Sequence, residues 1–315
     1  MTLAAKSDGE PIILLTGAGG QLGGQLQQTL VRLGRVVATD YAEIDLTSPD
    51  AIREAVRALR PQWIVNTAAY TAVDKAESES ALAFSINRDA PGILAAEAAR
   101  IGAVMIHYST DYVFDGAKQT PYVESDTTGP LNVYGASKLA GEQEVATSGI
   151  ACLTLRTSWV YGATGKNFLL NILRKARERD ELRIVADQYG APTWSYDLAA
   201  ATAAVIDHLI AQAASESRSV LDVAVESSGV YHACNAGETT WCGFAEAAVQ
   251  LAQLSWPSGK FAHIIPITTA EYPTPARRPA NSRLDCSKLA ERFGVRLPMW
   301  DESLKRVMDI LAQSI

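Results

Sequence analysis

PIILLTGAGGQLGGQLQQTLVRLG, residues 11–34, combines an apolar run, a glycine-rich turn and a second run that we predict to be a helix ending at Gly34. Gly17, Gly20 and Gly23 have the spacing Gly-x-x-Gly-x-x-Gly. Glycines at such positions permit a tight turn and let the backbone approach a pyrophosphate, while the helix N-terminus supplies unpaired N–H groups and a favourable dipole. The stretch therefore predicts the phosphate-binding turn of a dinucleotide cofactor.

The same alternation of apolar runs and helical patterns continues on both sides of this turn. The apolar runs are VVATD (36–40), WIVNTAA (63–69), AVMIHYST (103–110) and ACLTLRTSWVYG (151–162). Between them lie the helical patterns at 48–61, 79–102 and 133–146, the first with Ser48 as a predicted cap and Pro49 in its first position. Short continuous apolar strands separated by helices predict an α/β fold with a doubly wound parallel sheet, covered on both faces.

The pattern loosens after about residue 160, which indicates a second, smaller lobe. We predict a Rossmann domain for NAD(P) over residues 1–160, with about 190–255 packing on it. Residues 161–189 and 256–315 are then expected to form a smaller substrate-binding lobe. The stretch SESRSVLDVAVESSG, residues 215–229, is interpreted as a flexible insertion.

Composition narrows the classes of function. The chain has 315 residues and a formal charge of −7, which argues against a nucleic-acid or membrane-surface binder because such proteins need an electropositive face. Its four cysteines have neither Cys-x-x-Cys nor zinc-ligand spacing. We find neither a charged start followed by an apolar leader nor an apolar run of about 18 residues, and therefore expect a cytoplasmic protein.

Residues near the ends of the second and third strands are expected to contact the rest of the cofactor. Asp40 follows Gly17 by 23 residues, where a carboxylate usually receives the ribose hydroxyls. A carboxylate repels a 2′-phosphate and so favours NADH, whereas nearby basic residues such as Arg35 leave NADPH open. The full set of predicted cofactor contacts is Gly17, Gly20, Gln21, Leu22, Gly23, Asp40, Asp45, Leu46, Asn66, Ala68, Ala69, Tyr70, Tyr134 and Lys138.

Tyr134 and Lys138 lie four residues apart on a predicted helix, so their side chains project from the same face. Thr110 ends a strand 24 residues before Tyr134. A cation near a phenol lowers its pKa, so the pair could form a proton donor for an alkoxide, while the Thr110 hydroxyl orients a carbonyl oxygen. Taken alone, the pair also fits a surface helix and Thr110 a strand-end hydroxyl bound to backbone.

Several blocks together extend this pattern over almost the whole chain: TGAGGQLG, NTAAYTAVDKAE, HYSTDYVFDG, PLNVYGASKLAGE, RTSWVYG, DQYGAPT, YPTPARRPANSRL and PMWDESLKRVM. With these blocks the chain resembles the extended short-chain dehydrogenase/reductases, and within them the dTDP-4-dehydrorhamnose reductase family. The resemblance implies that NAD(P)H, with NADPH as the first expectation, reduces the 4-keto group of dTDP-4-dehydro-β-L-rhamnose. The product, dTDP-β-L-rhamnose, is a precursor of cell-surface polysaccharide such as O-antigen.

The resemblance also assigns residues. It implies that Thr110, Tyr134 and Lys138 are catalytic. It implies sugar contacts at Val73, Asp111, Tyr112 and Trp159, and we expect Arg278 and Asn281 in the proline-rich C-terminal loop to bind the nucleotide diphosphate.

Some members of the family form a dimer through Mg²⁺, with one acidic residue shortly after the GAPT block and another after the tryptophan near the C-terminus. This chain has Tyr196 at the first position, next to Asp197, and Asp301 at the second. A hard cation needs several oxygen ligands. We therefore predict no metal-ligand residues, regard Mg²⁺ as doubtful, and leave a homodimer open.

Two other functions fit parts of the sequence. One is another nucleotide-sugar epimerase, dehydratase or reductase of the same superfamily; the dehydratases usually carry an acidic pair after the threonine, whereas here Asp111 is followed by Tyr112. The other is a non-catalytic NADP-binding regulatory subunit, against which the presence of Thr110, Tyr134 and Lys138 together argues.

Overall fold

The computed structural model describes residues 9–313. The interpretation of the N-terminus as lacking a leader falls mainly on residues 1–8, outside the described residues.

Twelve strands occur in the part of the chain that the structure describes, several of them only two residues long. In chain order they are β1 Ile12–Thr16, β2 Arg35–Thr39, β3 Trp63–Asn66, β4 Val104–Thr110, β5 Cys152–Thr157, β6 Val160–Tyr161, β7 Glu181–Val185, β8 Tyr189–Gly190, β9 Thr193–Trp194, β10 Gly229–His232, β11 Thr239–Thr240 and β12 His263–Ile267.

Twelve α-helices connect and cover these strands over residues 9–313. They are α1 Gln21–Thr29, α2 Pro49–Leu59, α3 Val73–Ala76, α4 Ser80–Phe84, α5 Ala90–Ile101, α6 Val133–Thr147, α7 Phe168–Glu178, α8 Ser195–Glu216, α9 Val220–Glu226, α10 Trp241–Ser255, α11 Ser287–Phe293 and α12 Trp300–Gln313. A π-helical segment, Ser85–Asp89, joins α4 to α5, and short 3₁₀ turns occupy Asp111–Val113 and Thr269–Glu271.

The central sheet has six strands in the order β10-β5-β4-β3-β1-β2. Every neighbouring pair in it is parallel. The order reverses direction at β1 and β3, and ligands of such sheets bind outside the carboxyl ends of the strands at this point. The predicted doubly wound parallel sheet is confirmed.

Apolar side chains leave the sheet on both faces. Ile13 and Leu15 of β1 pack with α1 and α8 in one buried cluster. Leu14, the residue between them, packs with α2 and α5 in another. Because successive strand residues point to opposite faces, a strand covered on both sides needs an unbroken apolar run, as β1 has.

The ends of the first two helices show how local chemistry sets the connections. The side chain of Ser48 accepts a hydrogen bond from the N–H of Ala51 and Pro49 occupies the first turn of α2, as predicted. The first helix ends earlier than predicted, at Thr29, because the N–H of Leu33 bonds to the carbonyl of Leu30 and closes a turn before Gly34.

A further buried cluster forms the core of the smaller lobe, from α7, α10, α12 and the β7–β12 pair. Two helices pack differently from the predicted domain division. The side chains of Phe244 and Val249 place α10 in this smaller cluster, whereas Leu289 and Phe293 place α11 against the first cluster beside Tyr231. The division into two domains stays a proposal, in which α10 now belongs to the smaller lobe and α11 to the first domain.

The stretch 215–229 is not the flexible insertion predicted from its serines. Ser219 caps α9 by accepting from the N–H of Asp222, and Val223 is fully buried. Gly229 then begins β10, the edge strand of the central sheet. The stretch was misjudged because polar residues flank its few apolar ones, and it is the apolar residues that pack in the first cluster.

Helix α8 is long and apolar enough, by length and composition alone, to cross a membrane. Half of its apolar window is buried inside the protein, and residues such as Leu198, Ile206 and Leu209 are part of the first cluster. Its position is that of a core helix packed beside α1 in the first cluster.

A buried ion pair joins the sheet to α6. Arg156 of β5 donates to both carboxylate oxygens of Glu142, over 2.9 and 2.6 Å, and its guanidinium lies 5.1 Å from the ring centre of Phe114. Both charged side chains are about one-twentieth exposed. Such a pair holds two elements in one arrangement because either charge alone would be costly to bury.

Replacing Arg156→Met is expected to lower the free energy of unfolding by about 3 kcal/mol, because Glu142 is left charged, buried and unpaired. Urea denaturation followed by circular dichroism measures the change. The matched control is Arg174→Met, which breaks the exposed Arg174–Glu178 pair on α7 and should leave stability nearly unchanged. An equal effect of the two substitutions would contradict the role given to the buried pair.

Candidate active site

A cavity of about 640 Å³ opens along the carboxyl ends of the central strands. It extends from the turn after β1, past the ends of β2, β3 and β4, to the smaller lobe. The predicted site residues that line it are Gly17, Gly20, Gln21, Leu22, Gly23, Asp40, Asp45, Leu46, Ala68, Ala69, Val73, Thr110, Asp111, Tyr112, Tyr134, Lys138 and Trp159.

The glycine turn has no room for side chains at two positions. Gly17 has a φ of +72°, and a Cβ there would lie 2.7 Å from the backbone of Ala68; a Cβ on Gly23 would lie 2.1 Å from the carbonyl oxygen of Gly17. Gly20 is the N-cap residue of α1 and has no side chain to cap the first N–H groups of the helix. The first N–H groups of α1 therefore face the cavity beside bare backbone, which fits the pyrophosphate of a dinucleotide.

Two carboxylates line the cavity beyond the end of β2, where the adenosine is expected. Asp40 Oδ2 accepts a hydrogen bond of 3.1 Å from the N–H of Gly19, which fixes this side chain beside the glycine turn. Asp45 accepts from the hydroxyl and the N–H of Thr47, and these hydrogen bonds lower the pKa of the Asp45 carboxyl. Leu46 supplies an apolar surface next to them.

Asn66 and Tyr70 do not border the cavity, in contrast to the predicted contacts. The amide of Asn66 is buried and used within the sheet, accepting from the Thr16 hydroxyl at 2.6 Å and lying 3.1 Å from His107 Nδ1. The phenol of Tyr70 donates to Glu79 at the exposed surface. Both residues support the segment after β3 rather than reach the cofactor space.

Thr110, Tyr134 and Lys138 meet on one wall of the cavity. Asn132 caps α6 by accepting from the N–H of Gly135, over 2.8 Å. A Cβ on Gly135 would lie 2.2 Å from the carbonyl oxygen of Tyr112, so this glycine lets α6 begin directly against the turn after Thr110. The local structure therefore brings the hydroxyl at the end of β4 close to the phenol on α6.

The ammonium of Lys138 is buried and donates to the carbonyl of Tyr108, with Nζ and O 2.6 Å apart. Burial lowers the pKa of Lys138 to about 8, against the opposing effect of the Glu142 carboxylate. A lysine held in this way has a fixed position at the floor of the cavity.

The pKa of Tyr134 differs from the prediction. Burial, with a smaller contribution from the Asp111 carboxylate, raises the pKa to about 12 against the opposing effect of the hydrogen bond with Thr110. The pKa is therefore raised by loss of solvent, not lowered by Lys138 as predicted. Tyr134 is consequently protonated at neutral pH, which is the form that a proton donor needs.

Asp111 is buried next to this trio. The Thr110 hydroxyl donates to Asp111 Oδ1 over 2.8 Å, whereas Oδ2 has no hydrogen-bond partner among residues 9–313. Burial raises the pKa of the Asp111 carboxyl to about 7, and the hydrogen bond from Thr110 opposes the rise. Asp111 therefore belongs to the cavity wall, with its Oδ2 buried inside the protein.

Two tryptophans form the wall opposite the turn. The rings of Trp159 and Trp241 are stacked, with centres 3.7 Å apart and planes 12° from parallel. Trp159 has a φ of +47°, unusual for a large side chain, and Gly190 leaves room for its ring. The strained backbone is held where the ring faces the cavity, which fits the contact predicted for Trp159.

Arg278 and Asn281 lie outside the cavity and make contacts within the protein. Arg278 forms an ion pair of 2.9 Å with Asp74, next to Val73 on the cavity wall. The amide of Asn281 donates to the carbonyls of Lys118 and Thr120 and accepts from Arg283. In this structure both residues hold the C-terminal loop in place, and neither is a lining residue of the cavity.

Comparisons with known proteins agree on one family. The family model described as the RmlD substrate binding domain matches residues 12–313. The chain is 49% identical over 308 residues to the dTDP-4-dehydrorhamnose reductase of Burkholderia thailandensis, covering 96% of this chain and 99% of that protein. The chain belongs to the dTDP-4-dehydrorhamnose reductase family.

Solved structures of this reductase family have the same fold. A dTDP-4-dehydrorhamnose reductase from Clostridium acetobutylicum is 35% identical with a TM-score of 0.83, over 95% of this chain and 99% of that one. The reductase of Bacillus anthracis, solved in complex with NADP, is 33% identical with a TM-score of 0.83, over 96% and 99% of the two chains.

The position where some reductases of this family hold Mg²⁺ does not fit a metal here. The guanidinium of Arg306 lies over the rings of Trp194 and Tyr196 and 3.5 Å from Asp197. Asp197 is itself buried and accepts from the amide of Asn235. Within residues 9–313, no group of three or more His, Cys, Asp or Glu side chains is placed to hold a metal ion.

Sequence reasoning missed several lining residues of this reductase family member. Trp241 lies 82 residues after Trp159 in the chain, so only the fold could pair them. Lys166, in the loop before α7, is the second cation among the lining residues, with Lys138. The glycine and lysine in GATGKN, residues 162–167, were the available signal for a phosphate contact.

Replacing Gly23→Ala is expected to weaken binding of NADPH by at least about tenfold, because the added Cβ would displace the carbonyl of Gly17 and widen the turn. Fluorescence titration gives the dissociation constant.

The matched control is Gly24→Ala on the same helix, where a Cβ meets nothing within 4 Å. This variant should bind NADPH as the native protein does and be slightly more stable, since alanine favours the helix. Equal affinities for all three proteins would show that the turn does not hold the cofactor.

Proposed function

We propose that the protein reduces the 4-keto group of dTDP-4-dehydro-β-L-rhamnose with NADPH and releases dTDP-β-L-rhamnose. One observation carries this proposal. A bare glycine turn suited to a dinucleotide and the trio Thr110, Tyr134 and Lys138 line the same cavity. The extent of identity to named reductases of this family supports the choice of substrate.

Bound NADPH supplies the hydride for this reduction. Tyr134 donates its phenolic proton to the carbonyl oxygen as negative charge develops there, and its raised pKa keeps that proton in place at neutral pH. The hydroxyl of Thr110, which donates to Asp111 in the structure, turns its proton to the same oxygen when substrate binds. Lys138, fixed by the carbonyl of Tyr108, provides positive charge beside the phenol and holds the ribose next to the nicotinamide.

The sugar and the nucleotide are assigned to the other side of the cavity. The sugar ring is assigned to the part of the cavity that is lined by Val73, Asp111, Tyr112 and Trp159. Lys166 lies exposed at the rim, in a loop whose Thr164 carbonyl accepts from the amide of Gln21 in the glycine turn, and is assigned to a phosphate of the cofactor. Arg278, whose charge acts on Tyr112 of the cavity wall, and Asn281 stay the predicted contacts of the nucleotide diphosphate.

NADPH is the proposed coenzyme, in line with the NADP complex of the Bacillus anthracis relative. NADH is the alternative that Asp40 favours, because its carboxylate sits beside the glycine turn and no arginine is among the lining residues of the cavity.

The proposed reaction also indicates where the enzyme works and what its product supplies. We place it in the cytoplasm, without a nucleic-acid partner, as a supplier of dTDP-rhamnose for cell-surface polysaccharide such as O-antigen. The packing of α8 within the core supports a protein that does not cross a membrane. A homodimer, if formed, would not use the Mg²⁺ arrangement, because Arg306 occupies that region.

The direct test is a coupled assay in which dTDP-4-dehydro-β-L-rhamnose is generated in situ. Oxidation of NADPH and of NADH is followed separately by absorbance, and the sugar product by NMR. The proposal predicts one nicotinamide oxidised for each dTDP-rhamnose formed. Tightly retained NAD with sugar conversion but no net oxidation would indicate an epimerase or dehydratase, and cofactor binding without any turnover would indicate a regulatory subunit.

Replacing Tyr134→Phe is expected to lower kcat by about 100-fold or more, because it removes the proton donor and preserves the ring. The dissociation constant of NADPH should change little. Tyr70→Phe, the same chemical change outside the cavity, should keep native turnover. A Tyr134→Phe variant with near-native kcat would show that another group supplies the proton.

Replacing Lys138→Met is expected to weaken NADPH binding about tenfold and to lower kcat as well, since a buried charged hydrogen-bond donor is lost. Calorimetric titration and the coupled assay measure the two effects. Lys305→Met, on the exposed side of α12, is the control and should alter neither. If Lys138→Met behaves like this control, Lys138 has only a structural role.

A further inference from the structure

Two cysteines lie close together beside the active-site wall. The sulfur atoms of Cys234 and Cys286 are 3.5 Å apart, and the N–H of Cys234 points to Cys286 Sγ over 3.4 Å. Cys234 belongs to a buried cluster with Val113 and Phe114, which follow the catalytic Thr110 in the chain. Neither thiol takes part in the proposed reaction.

Cys234 lies where the chain leaves the first domain, and Cys286 lies where the chain returns to it. Cys234 follows β10 of the central sheet by two residues, and Cys286 directly precedes α11, which packs on the first cluster. The 52-residue separation between them contains α10 and β12 of the smaller lobe. It also contains Trp241, whose ring lines the cavity. A bond between the two sulfurs would therefore close this part of the lobe at its base.

The two thiols differ in reactivity. Cys286 is partly exposed, and the hydrogen bond from the Cys234 thiol lowers its pKa; the same hydrogen bond, with burial, raises the pKa of Cys234. Cys286 is thus the better thiolate and Cys234 the protonated partner. The remaining cysteines are buried, and burial raises the pKa of Cys152 to about 12 and that of Cys242 to about 11.

We propose that Cys234 and Cys286 form a reversible disulfide that fixes the base of the smaller lobe when the protein meets a peroxide. The sulfur atoms need to approach from 3.5 Å to about 2.0 Å, a movement that rotation of two side chains can share. Their positions on adjacent segments, joined already by a backbone-to-sulfur hydrogen bond, favour this pair over any other in the described chain.

The reaction balances with hydrogen peroxide as the oxidant. The Cys286 thiolate attacks one peroxide oxygen, the O–O bond breaks, and the sulfur becomes a sulfenic acid with release of one water after protonation. The sulfur of Cys234 then attacks the sulfenic sulfur, its proton leaves with the hydroxyl as a second water, and the S–S bond forms. Two thiols are oxidised and one peroxide is reduced to two waters.

The closed loop gives the bond a measurable consequence. Cross-linking residues 52 positions apart removes conformational freedom from the unfolded chain. The oxidised protein should therefore unfold at a Tm about 5 °C higher than the reduced protein. A dithiol reductant should restore the lower Tm.

The experiment treats the reduced full-length protein with hydrogen peroxide, blocks free thiols under denaturing conditions and maps peptides without reduction. The proposal predicts that free thiols fall from four to two, that the linked peptides contain Cys234 and Cys286, and that Tm rises and returns with reductant. In the Cys286→Ser variant the remaining thiols should all stay free after the same treatment. The matched control Cys242→Ser should still form the bond.

Three results would overturn the proposal. They are a sulfinic acid on Cys286 without a cross-link, a disulfide that joins other cysteines, and a Cys234–Cys286 bond that leaves Tm unchanged or lower. The peptide map of the native sequence decides the pairing even if a serine variant folds poorly.

Discussion

Six parallel strands end at one edge of the sheet, and the whole site depends on that constraint. Parallel pairing brings the turn after β1, Asp40 after β2, Ala68 after β3 and Thr110 at the end of β4 to the same side. None of these segments is near another in sequence. Because β1 and β3 lie at the point where the strand order reverses, their connections diverge and leave a crevice between them. The cavity is the direct result of strand order.

Buried polar contacts then fix α6, the helix that carries Tyr134 and Lys138, against this edge. Lys138 bonds to the carbonyl of Tyr108, and the Glu142–Arg156 pair joins the next turn of α6 to β5. On the opposite side, Asn87 of the π-helical segment bonds to the carbonyl of Tyr70 and to the hydroxyl of Ser137. A helix held by charged and amide groups has one favourable position, which keeps Tyr134 at a fixed distance from the end of β4.

The sequence predicted what is local or periodic and missed what depends on distant contacts. The parallel sheet, the glycine turn and the meeting of Thr110, Tyr134 and Lys138 followed from apolar runs, spacing and resemblance. The strand β10 was missed because its apolar core is short, and the pairing of Trp159 with Trp241 because it requires the smaller lobe to fold back. The ion pair of Arg278 with Asp74 was also missed, because it joins residues 204 positions apart. Burial likewise reversed the expected pKa shift of Tyr134, since no sequence pattern reports how much solvent a phenol loses.

The central claim is that this cavity directs hydride to carbon 4 of a nucleotide-linked keto-sugar. It is tested most directly with NADPH that carries deuterium at the transferable position of the nicotinamide, followed by NMR of the isolated sugar nucleotide. The account predicts dTDP-rhamnose with one deuterium on carbon 4 and oxidised cofactor in equal amount. A product with no deuterium, or with deuterium at another carbon, would contradict it.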